Sequence, residues 1–480
     1  MINKTNVQSE NTADINNQKK YADRVAVILK EKSTRLGKTL KVYVQTFGCQ
    51  QNEADSERLL GTALCLGYEK AGRIEEADLV IYNTCAVREH AELKALSKTG
   101  QLKHLKAANP EMLVGLWGCM VNQEHRVNDI KNKYPYVDFV AGTNMLHRLP
   151  EILCDVLVND RRRYYVDDED YSIVEGVPVS RENDIKAWLS IMYGCNNFCT
   201  YCVVPYVRGR ERSRNKDDIL REAKELVDDG YKEITLLGQN VNSYVTDGKV
   251  TDFPDLLNDI ANIDGDFWIR FMTSHPKDVS DEIIEVIKTN KKVAKHFHLP
   301  VQSGSNRILK LMNRKYTKES YLEVVRKLRE AVPDITLTTD IIVGFPGETE
   351  EDFAETLDIV EKVGFDSIYS FIYSPRKGTP AEKMEDPFTY EQKTERFARL
   401  MDLHHKKIVE INKGYIGKTI RVLCETKINN SKDNEYSGRC TGNKLIKFTA
   451  PDGADLYGKF VDVKITNAGD VQLYGQMISE

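Results

Sequence analysis

From residue 40 onward, short apolar runs alternate with stretches of helical periodicity, and this rhythm occurs twice with a break between. The first series has runs at 41–47, 79–82, 113–117 and 137–140. Runs this short, separated by helix-length segments, predict an α/β domain with a mainly parallel sheet over 39–158. Residues 159–184 break the rhythm with Arg161, Arg162 and Arg163, then Asp167, Asp168, Glu169 and Asp170, and read as a linker. The second series spans 185–412, with runs at 187–192, 233–237, 268–272, 297–301, 335–343 and 367–373. About six β/α units predict a partial (β/α)6 TIM-like barrel whose site lies at the C-terminal ends of its strands. From 413 to 480 the runs become short and β-rich, at 419–424 and 459–465, as in a small all-β barrel. Residues 1–38 are polar, with one weakly amphipathic stretch around 21–29, and read as a flexible lead-in.

Composition narrows the class. The 480 residues are 41% hydrophobic and 29% charged, as in a globular protein. No apolar run approaches the ~20 residues that cross a bilayer, so no membrane partner is expected. The first twenty residues hold no apolar core for a signal peptide, which predicts a reducing, cytoplasmic setting. The ten cysteines then need a reason other than disulfides. A net charge of -5 argues against broad, non-specific nucleic-acid binding, although a local basic stripe can still hold a phosphate backbone.

The strongest chemical signal is Cys195-Asn-Asn-Phe-Cys199-Thr-Tyr-Cys202, just after the first run of the second series. Three thiolates can bind three irons of a [4Fe-4S] cube and leave the fourth open to the amino and carboxylate groups of a methionine derivative. One electron passed to a sulfonium there breaks a sulfur-carbon bond and releases a 5′-deoxyadenosyl radical. The alternatives are zinc, an electron-transfer cluster or structural thiols; zinc favours paired C-x2-C knuckles and a ferredoxin a longer run, and neither of those patterns is present here. The motif resembles the radical S-adenosylmethionine superfamily, in which Tyr201 would lie beside the adenine; a plain core tyrosine is the other reading.

Cys49, Cys85 and Cys119 each end an apolar run, in Gly48-Cys49, Thr84-Cys85 and Gly118-Cys119. Neighbouring strands of a parallel sheet open on one edge, so three thiols far apart in sequence can converge as a second metal site. Three unrelated core cysteines are the bland alternative. Cys65, Cys154, Cys424 and Cys440 lack such partners and are assigned to packing or surface positions.

Two cysteine trios followed by a small β module resemble the methylthiotransferase family over nearly the whole chain. The motifs Gly48-Cys49-Gln50-Gln51-Asn52-Glu53, Asn83-Thr84-Cys85, Val203-Val204-Pro205-Tyr206 and Leu237-Gly238-Gln239-Asn240-Val241-Asn242 are similar to its tRNA-adenosine branch. So are Thr273-Ser274-His275-Pro276, the stretch from His298 to Ser305, and Gly344-Phe345-Pro346-Gly347-Glu348-Thr349; Gln51 departs from a frequent Met. The resemblance implies addition of a methylthio group to carbon 2 of an N6-isopentenyladenosine beside the anticodon. That carbon has no acidic proton and no leaving group, so acid-base catalysis has little purchase and a carbon radical fits.

The resemblance also implies two [4Fe-4S] clusters, with Cys49, Cys85 and Cys119 holding the sulfur-carrying one and Cys195, Cys199 and Cys202 the radical-forming one. Two S-adenosyl-L-methionine molecules would be used per turnover. Gln239, Gln302 and Asp340 would bind that cofactor at the barrel mouth, or serve only as loop hydrogen bonders. The implied partners are the tRNA, an electron donor such as flavodoxin or ferredoxin, and a sulfur or cluster carrier, with the enzyme a monomer. Arg208, Arg210, Arg212 and Arg214 could meet RNA phosphates or form internal salt bridges. Pro346 and Gly347 read as a turn. The C-terminal module resembles the family's TRAM-like RNA-binding β-barrel, with Arg439, Lys444 and Lys447 as contacts; a structural lid is its alternative. The competing functions are a methylthiotransferase for threonylcarbamoyladenosine or for a ribosomal protein, and a non-catalytic iron-sulfur RNA-binding protein.

Overall fold

The computed structural model describes residues 4–159, 161–166, 172–246, 252–428 and 434–478, with side chains from residue 17. The chain divides into two compact units, 1–182 with 193–196 and 203–212, and 183–192 with 197–202 and 213–480.

The first unit is built on six parallel strands: β1 Lys41–Phe47, β2 Glu69–Lys70, β3 Leu79–Thr84, β4 Leu113–Gly118, β5 Phe139–Ala141 and β6 Arg163–Tyr165. Their order is β2-β1-β3-β4-β5-β6, and every residue of the central β3 is buried. Strands covered on both faces need apolar side chains on both, which is why β3 reads as a continuous run. Leu79 and Ile81 join one core with Leu59 and Leu153, and Val80 and Tyr82 join the other with Leu102 and Val140.

Two expectations are corrected here. The flexible lead-in is instead a helix, Lys4–Leu36. Val25 and Leu29 lie one turn apart and are buried, with Tyr21 and Ala22 packed beside them in the core that includes the Leu149–Asn159 helix. Near its end Lys32 donates to the Glu111 carbonyl at 2.9 Å and Arg35 pairs with the Glu111 carboxylate at 2.5 Å. A few apolar residues at helical spacing suffice where a neighbouring helix supplies the other half of the core. Leu29→Ala is expected to cost about 2–5 kcal/mol, measured as a lowered melting temperature; a melt equal to wild type would mean that the helix does not pack.

The linker is also partly structured. β6 pairs in parallel with β5, and Arg163 bonds Asp155. Arg162 is drawn inward, donating to the carbonyls of Val137 and Tyr134 at 3.0 and 3.1 Å. Asp167 to Asp170 lie outside the described residues.

The second unit carries β7 Lys186–Ser190, then the short β8 Met192–Tyr193 and β9 Arg212–Ser213 at the border of the units. Its main strands continue with β10 Glu233–Leu237, β11 Trp268–Phe271, β12 His296–His298, β13 Thr336–Val343 and β14 Ser367–Ile372. Two parallel three-stranded sheets, β11-β10-β7 and β12-β13-β14, are linked by a parallel bridge between Ile269 and Val293. The result is the expected partial barrel of six parallel strands, with one core running through it.

Five further strands close a small barrel in the order β15-β16-β17-β19-β18: β15 Thr419–Lys427, β16 Glu435–Cys440, β17 Leu445–Thr449, β18 Phe460–Ala468 and β19 Gln472–Met477. It lies against the N-terminal ends of the larger barrel's strands. Trp268, at the start of β11, packs on Phe460 with ring centroids 4.6 Å apart. Arg270 donates to the carbonyls of Cys440 and Thr441 at 2.6 and 2.7 Å. Lys444, expected to meet RNA, is half-buried here and bonds Asp366 at 2.8 Å and Asn412. Arg439 donates to the Asn443 carbonyl, while Lys447 stays partly exposed. Among the described residues no helix is long and apolar enough to cross a membrane.

Candidate functional site

β1, β3 and β4 are adjacent and in register at Phe47, Thr84 and Gly118. Cys49, Cys85 and Cys119 follow within two residues, so the sheet brings the three thiols to one edge. Gly118 makes this possible: at φ 102° it sits where a Cβ would come within 2.5 Å of the Thr84 carbonyl. Cys119 N–H then donates to that carbonyl at 2.8 Å. Two buried asparagines tie the edge together. Asn52 Nδ2 donates to Asn83 Oδ1 at 3.1 Å and to the Thr84 carbonyl at 3.2 Å, and Asn83 Nδ2 returns a bond to the Asn52 carbonyl at 2.8 Å.

The thiols interact. The interaction with Cys85, with the Arg208 charge, brings Cys49 down to about 6 against desolvation. The same interaction, then burial, pushes Cys85 up; burial raises Cys119 against the pull of Arg208. Arg208 Nε donates to Cys119 Sγ at 3.1 Å, and its Nη2 bonds Asp55 at 2.8 Å. Arg208 is therefore not an RNA contact. Arg214 is also internal, bonding Glu222 and the Ser190 carbonyl, whereas Arg210 is exposed. Among the described residues no trio of His, Cys, Asp or Glu side chains is closed to single-ion spacing.

Cys195 follows β8, and its N–H donates to the Gly209 carbonyl. In the second unit Cys199 is buried and its carbonyl accepts from Cys202 N–H at 3.0 Å. The loop is anchored by Thr200, which donates to the carbonyls of Met312 and Leu311, and by Asn313, which donates to the Phe198 carbonyl. Arg314 is buried; Nη1 donates to Cys199 Sγ at 3.4 Å, Nη2 to the Pro300 carbonyl and Nε to Tyr316. Tyr201 packs against Ile308, Met312, Phe345 and Ala381.

The remaining candidates follow strands of the larger barrel, except that Asp340, expected at a strand end, lies within β13. Gln239 follows β10, and its Oε1 is buried without a hydrogen-bond partner among the described residues, as is Ser274 Oγ after β11. A buried acceptor left open costs stability unless a ligand or water fills it. Gln302 is buried and lies beside Asp340, to whose carbonyl its N–H donates at 2.9 Å. Asp340 faces His298 Nε2 at 3.5 Å. Gln302 and Thr273 hold φ values of 67° and 66°. Such backbone stores about 1–3 kcal/mol per residue and tends to gather where a ligand is clamped. Asp55, Arg314 and Ser274 are not among the sequence candidates, and of these only Ser274 falls within a quoted motif; Arg208 is a sequence candidate, and of its two readings the internal salt bridge is the one found.

Glu348 takes a structural part. Its Oε2 accepts from Gly344 N–H at 2.7 Å beside Arg396, and burial pushes it from 4.5 to about 7. The folded chain thus holds this proton more tightly than the unfolded chain. Its contribution to stability is present below about pH 4.5 and is lost as the pH rises through about 7. Glu348→Gln is expected to flatten that part of the melting-temperature profile; an unchanged slope would contradict the assignment.

A model described as the radical SAM superfamily matches residues 189–360, and one described as uncharacterized protein family UPF0004 matches 41–142. The chain is 49% identical over 462 residues to the tRNA-2-methylthio-N(6)-dimethylallyladenosine synthase of Acetivibrio thermocellus, covering 96% of each chain. With the synthase of the same name from Alkaliphilus oremlandii it shares 51% over 448 residues, 92% of this chain and 94% of that one. The chain belongs to the tRNA-2-methylthio-N(6)-dimethylallyladenosine synthase family.

The synthase-family fold is shared more distantly with the radical S-adenosylmethionine methyltransferase TsrM from Kitasatospora setae. That match has a TM-score of 0.53 and 15% identity, covering 82% of this chain and 79% of the other. Membership of the radical SAM superfamily brings a [4Fe-4S] cluster and S-adenosylmethionine. The residues suit them: soft thiol donors for iron, a buried guanidinium at Cys199, and the open Oε1 of Gln239 for a polar cofactor.

Proposed function

We propose that this chain adds a methylthio group to carbon 2 of N6-dimethylallyladenosine in tRNA, at the adenosine beside the anticodon. The observation that carries this is the 49–51% identity to synthases of that name over more than nine tenths of both chains. The strand-end placement of Cys49, Cys85 and Cys119 supports it. In this reading Cys195, Cys199 and Cys202 hold the cluster that works with S-adenosylmethionine, and Cys49, Cys85 and Cys119 hold a second, sulfur-carrying [4Fe-4S] cluster.

When bound, the radical-forming group supplies a carbon radical strong enough to act on an unactivated C–H bond. The chain's own residues bind, orient and seal. Arg314 donates to Cys199 and fixes the cysteine loop. Gln239 and Ser274 offer open polar atoms to the cofactor after β10 and β11, and Gln302, after β12, and Asp340, within β13, are the candidates on the other sheet. Tyr201 lies on the apolar cluster behind the loop and suits the edge of an adenine. Two S-adenosylmethionine molecules per turnover, a flavodoxin or ferredoxin as electron donor, a sulfur or cluster carrier, a monomeric state and a cytoplasmic setting complete the reading.

The test is substrate choice. Reconstituted protein is given equal amounts of tRNA carrying N6-isopentenyladenosine, unmodified adenosine or threonylcarbamoyladenosine, and the nucleosides are weighed by mass spectrometry. Methylthiolation of the isopentenylated nucleoside is expected; methylthiolation of the threonylcarbamoylated one instead would move the chain to a sister activity. Gln239→Ala is expected to weaken S-adenosylmethionine binding by about 1–3 kcal/mol, the range for a lost buried hydrogen bond, measured by calorimetry on the reconstituted protein. Unchanged affinity would remove Gln239 from the site.

A further inference from the structure

The cation at Cys119 is placed unlike an ordinary structural arginine. Arg208 is buried, 5% exposed, and its fork is divided between two acceptors: Nη2 on Asp55 Oδ2 at 2.8 Å and Nε on Cys119 Sγ at 3.1 Å. Asp55 is 2% exposed and also accepts from Gln51 Nε2 at 3.1 Å. A buried ion pair is expensive to desolvate, and replacement by apolar side chains is often neutral or favourable. Packing alone would not call for it. What an apolar replacement could not supply is an N–H donor and a fixed positive charge beside the sulfur.

The neighbourhood on the helix Gln50–Cys65 serves the same end. Asp55 stands on that helix, six residues after Cys49, so it holds the guanidinium from the element that also carries Asn52 and its bonds to β3. Arg208 comes from the Val204–Arg208 helix, where Asn122 and Thr143 bond the neighbouring Val207 carbonyl at 2.7 and 3.0 Å. The guanidinium is thus fixed from both sides, with one N–H directed at a thiol that ends β4.

Hydrogen bonds to ligand sulfurs and nearby charge are levers by which a protein tunes an iron-sulfur cluster, and a donated hydrogen bond and a positive charge both favour the more negative, reduced state. We infer that Arg208, held by Asp55, is a positioning residue that raises the reduction potential of a cluster bound by Cys49, Cys85 and Cys119. The inference rests on the reading of these cysteines as cluster ligands. Asp55 acts in the opposite sense, since its negative charge offsets part of the guanidinium's.

The test uses the full-length chain with Cys195, Cys199 and Cys202 replaced by Ala, so that only the second site can hold iron. After anaerobic reconstitution, iron per chain is measured and the midpoint potential is read by paramagnetic resonance during stepwise reduction with dithionite. Arg208→Gln is expected to shift the midpoint downward and Asp55→Asn upward, with Arg208→Lys between Arg208→Gln and the parent. Opposite signs from two partners of one ion pair are what a charge effect gives; a merely structural role would move both the same way. If neither variant shifts the midpoint, or both shift it in one direction at unchanged iron content, the inference is overturned. Should Arg208→Gln not fold, Asp55→Asn decides alone: upward supports, unchanged or downward overturns. A parent that binds no iron would instead overturn the ligand reading, and this inference with it.

Discussion

Cys199→Ala will release no 5′-deoxyadenosine from S-adenosylmethionine, whereas Cys49→Ala will release it and leave the tRNA nucleoside without its methylthio group. The two thiols stand in different structural settings. Cys199 is buried in a loop anchored by Thr200 and Asn313, with the Arg314 guanidinium at its sulfur. Cys49 is exposed at the end of β1 and shares its edge with Cys85 and Cys119. Removing a ligand should exceed the roughly 10–100-fold loss that follows removal of an outer partner of a metal ligand. Both losses should therefore fall beyond that range, each in its own assay. If both variants failed in both assays with iron content intact, the division of labour between the trios would be wrong.

The second large effect concerns stability. Arg270, 4% exposed on β11, pairs with buried Glu233 at 2.5 Å and donates to the Cys440 and Thr441 carbonyls of the small barrel. The guanidinium, then the Lys186 ammonium, holds the Glu233 carboxyl below its usual range despite burial. Breaking one partner of a buried pair leaves the other charge stranded, at about 3–5 kcal/mol. Arg270→Met is expected to lower the melting temperature accordingly, and Glu233→Met in the same chain to recover part of it, because the stranded carboxylate is gone. A single variant as stable as wild type would show that the pair contributes nothing. As a carboxyl with a lowered folded value, Glu233 stabilises the chain above its unfolded value and ceases to do so as the pH falls through the folded one.

The strands were legible because their periods are local. The run expected at 233–237 is β10 to the residue, and those at 41–47 and 79–82 match β1 and most of β3. The first cysteine trio was legible for the same reason: each thiol ends an apolar run, and a parallel sheet turns that shared position into proximity. What escaped depended on partners supplied by distant chain. Val25 and Leu29 belong to a short apolar run, Val25 to Leu29, in an otherwise polar segment, and their core is supplied by distant chain such as the Leu149–Asn159 helix. For Arg208 the sequence leaves RNA phosphates and internal salt bridges open, and Lys444 reads as an RNA contact, until Asp55 and Asp366 are found beside them. A charge's partner cannot be read from spacing when it lies 153 residues away, as Asp55 does from Arg208.

The most direct test of the central claim is mass spectrometry of nucleosides from isopentenylated tRNA after anaerobic incubation with iron-reconstituted protein, S-adenosylmethionine and a strong reductant. The account predicts 2-methylthio-N6-isopentenyladenosine together with 5′-deoxyadenosine, and no modified nucleoside from Cys49→Ala. Release of 5′-deoxyadenosine with the isopentenylated nucleoside left unmodified by the wild-type chain would contradict it.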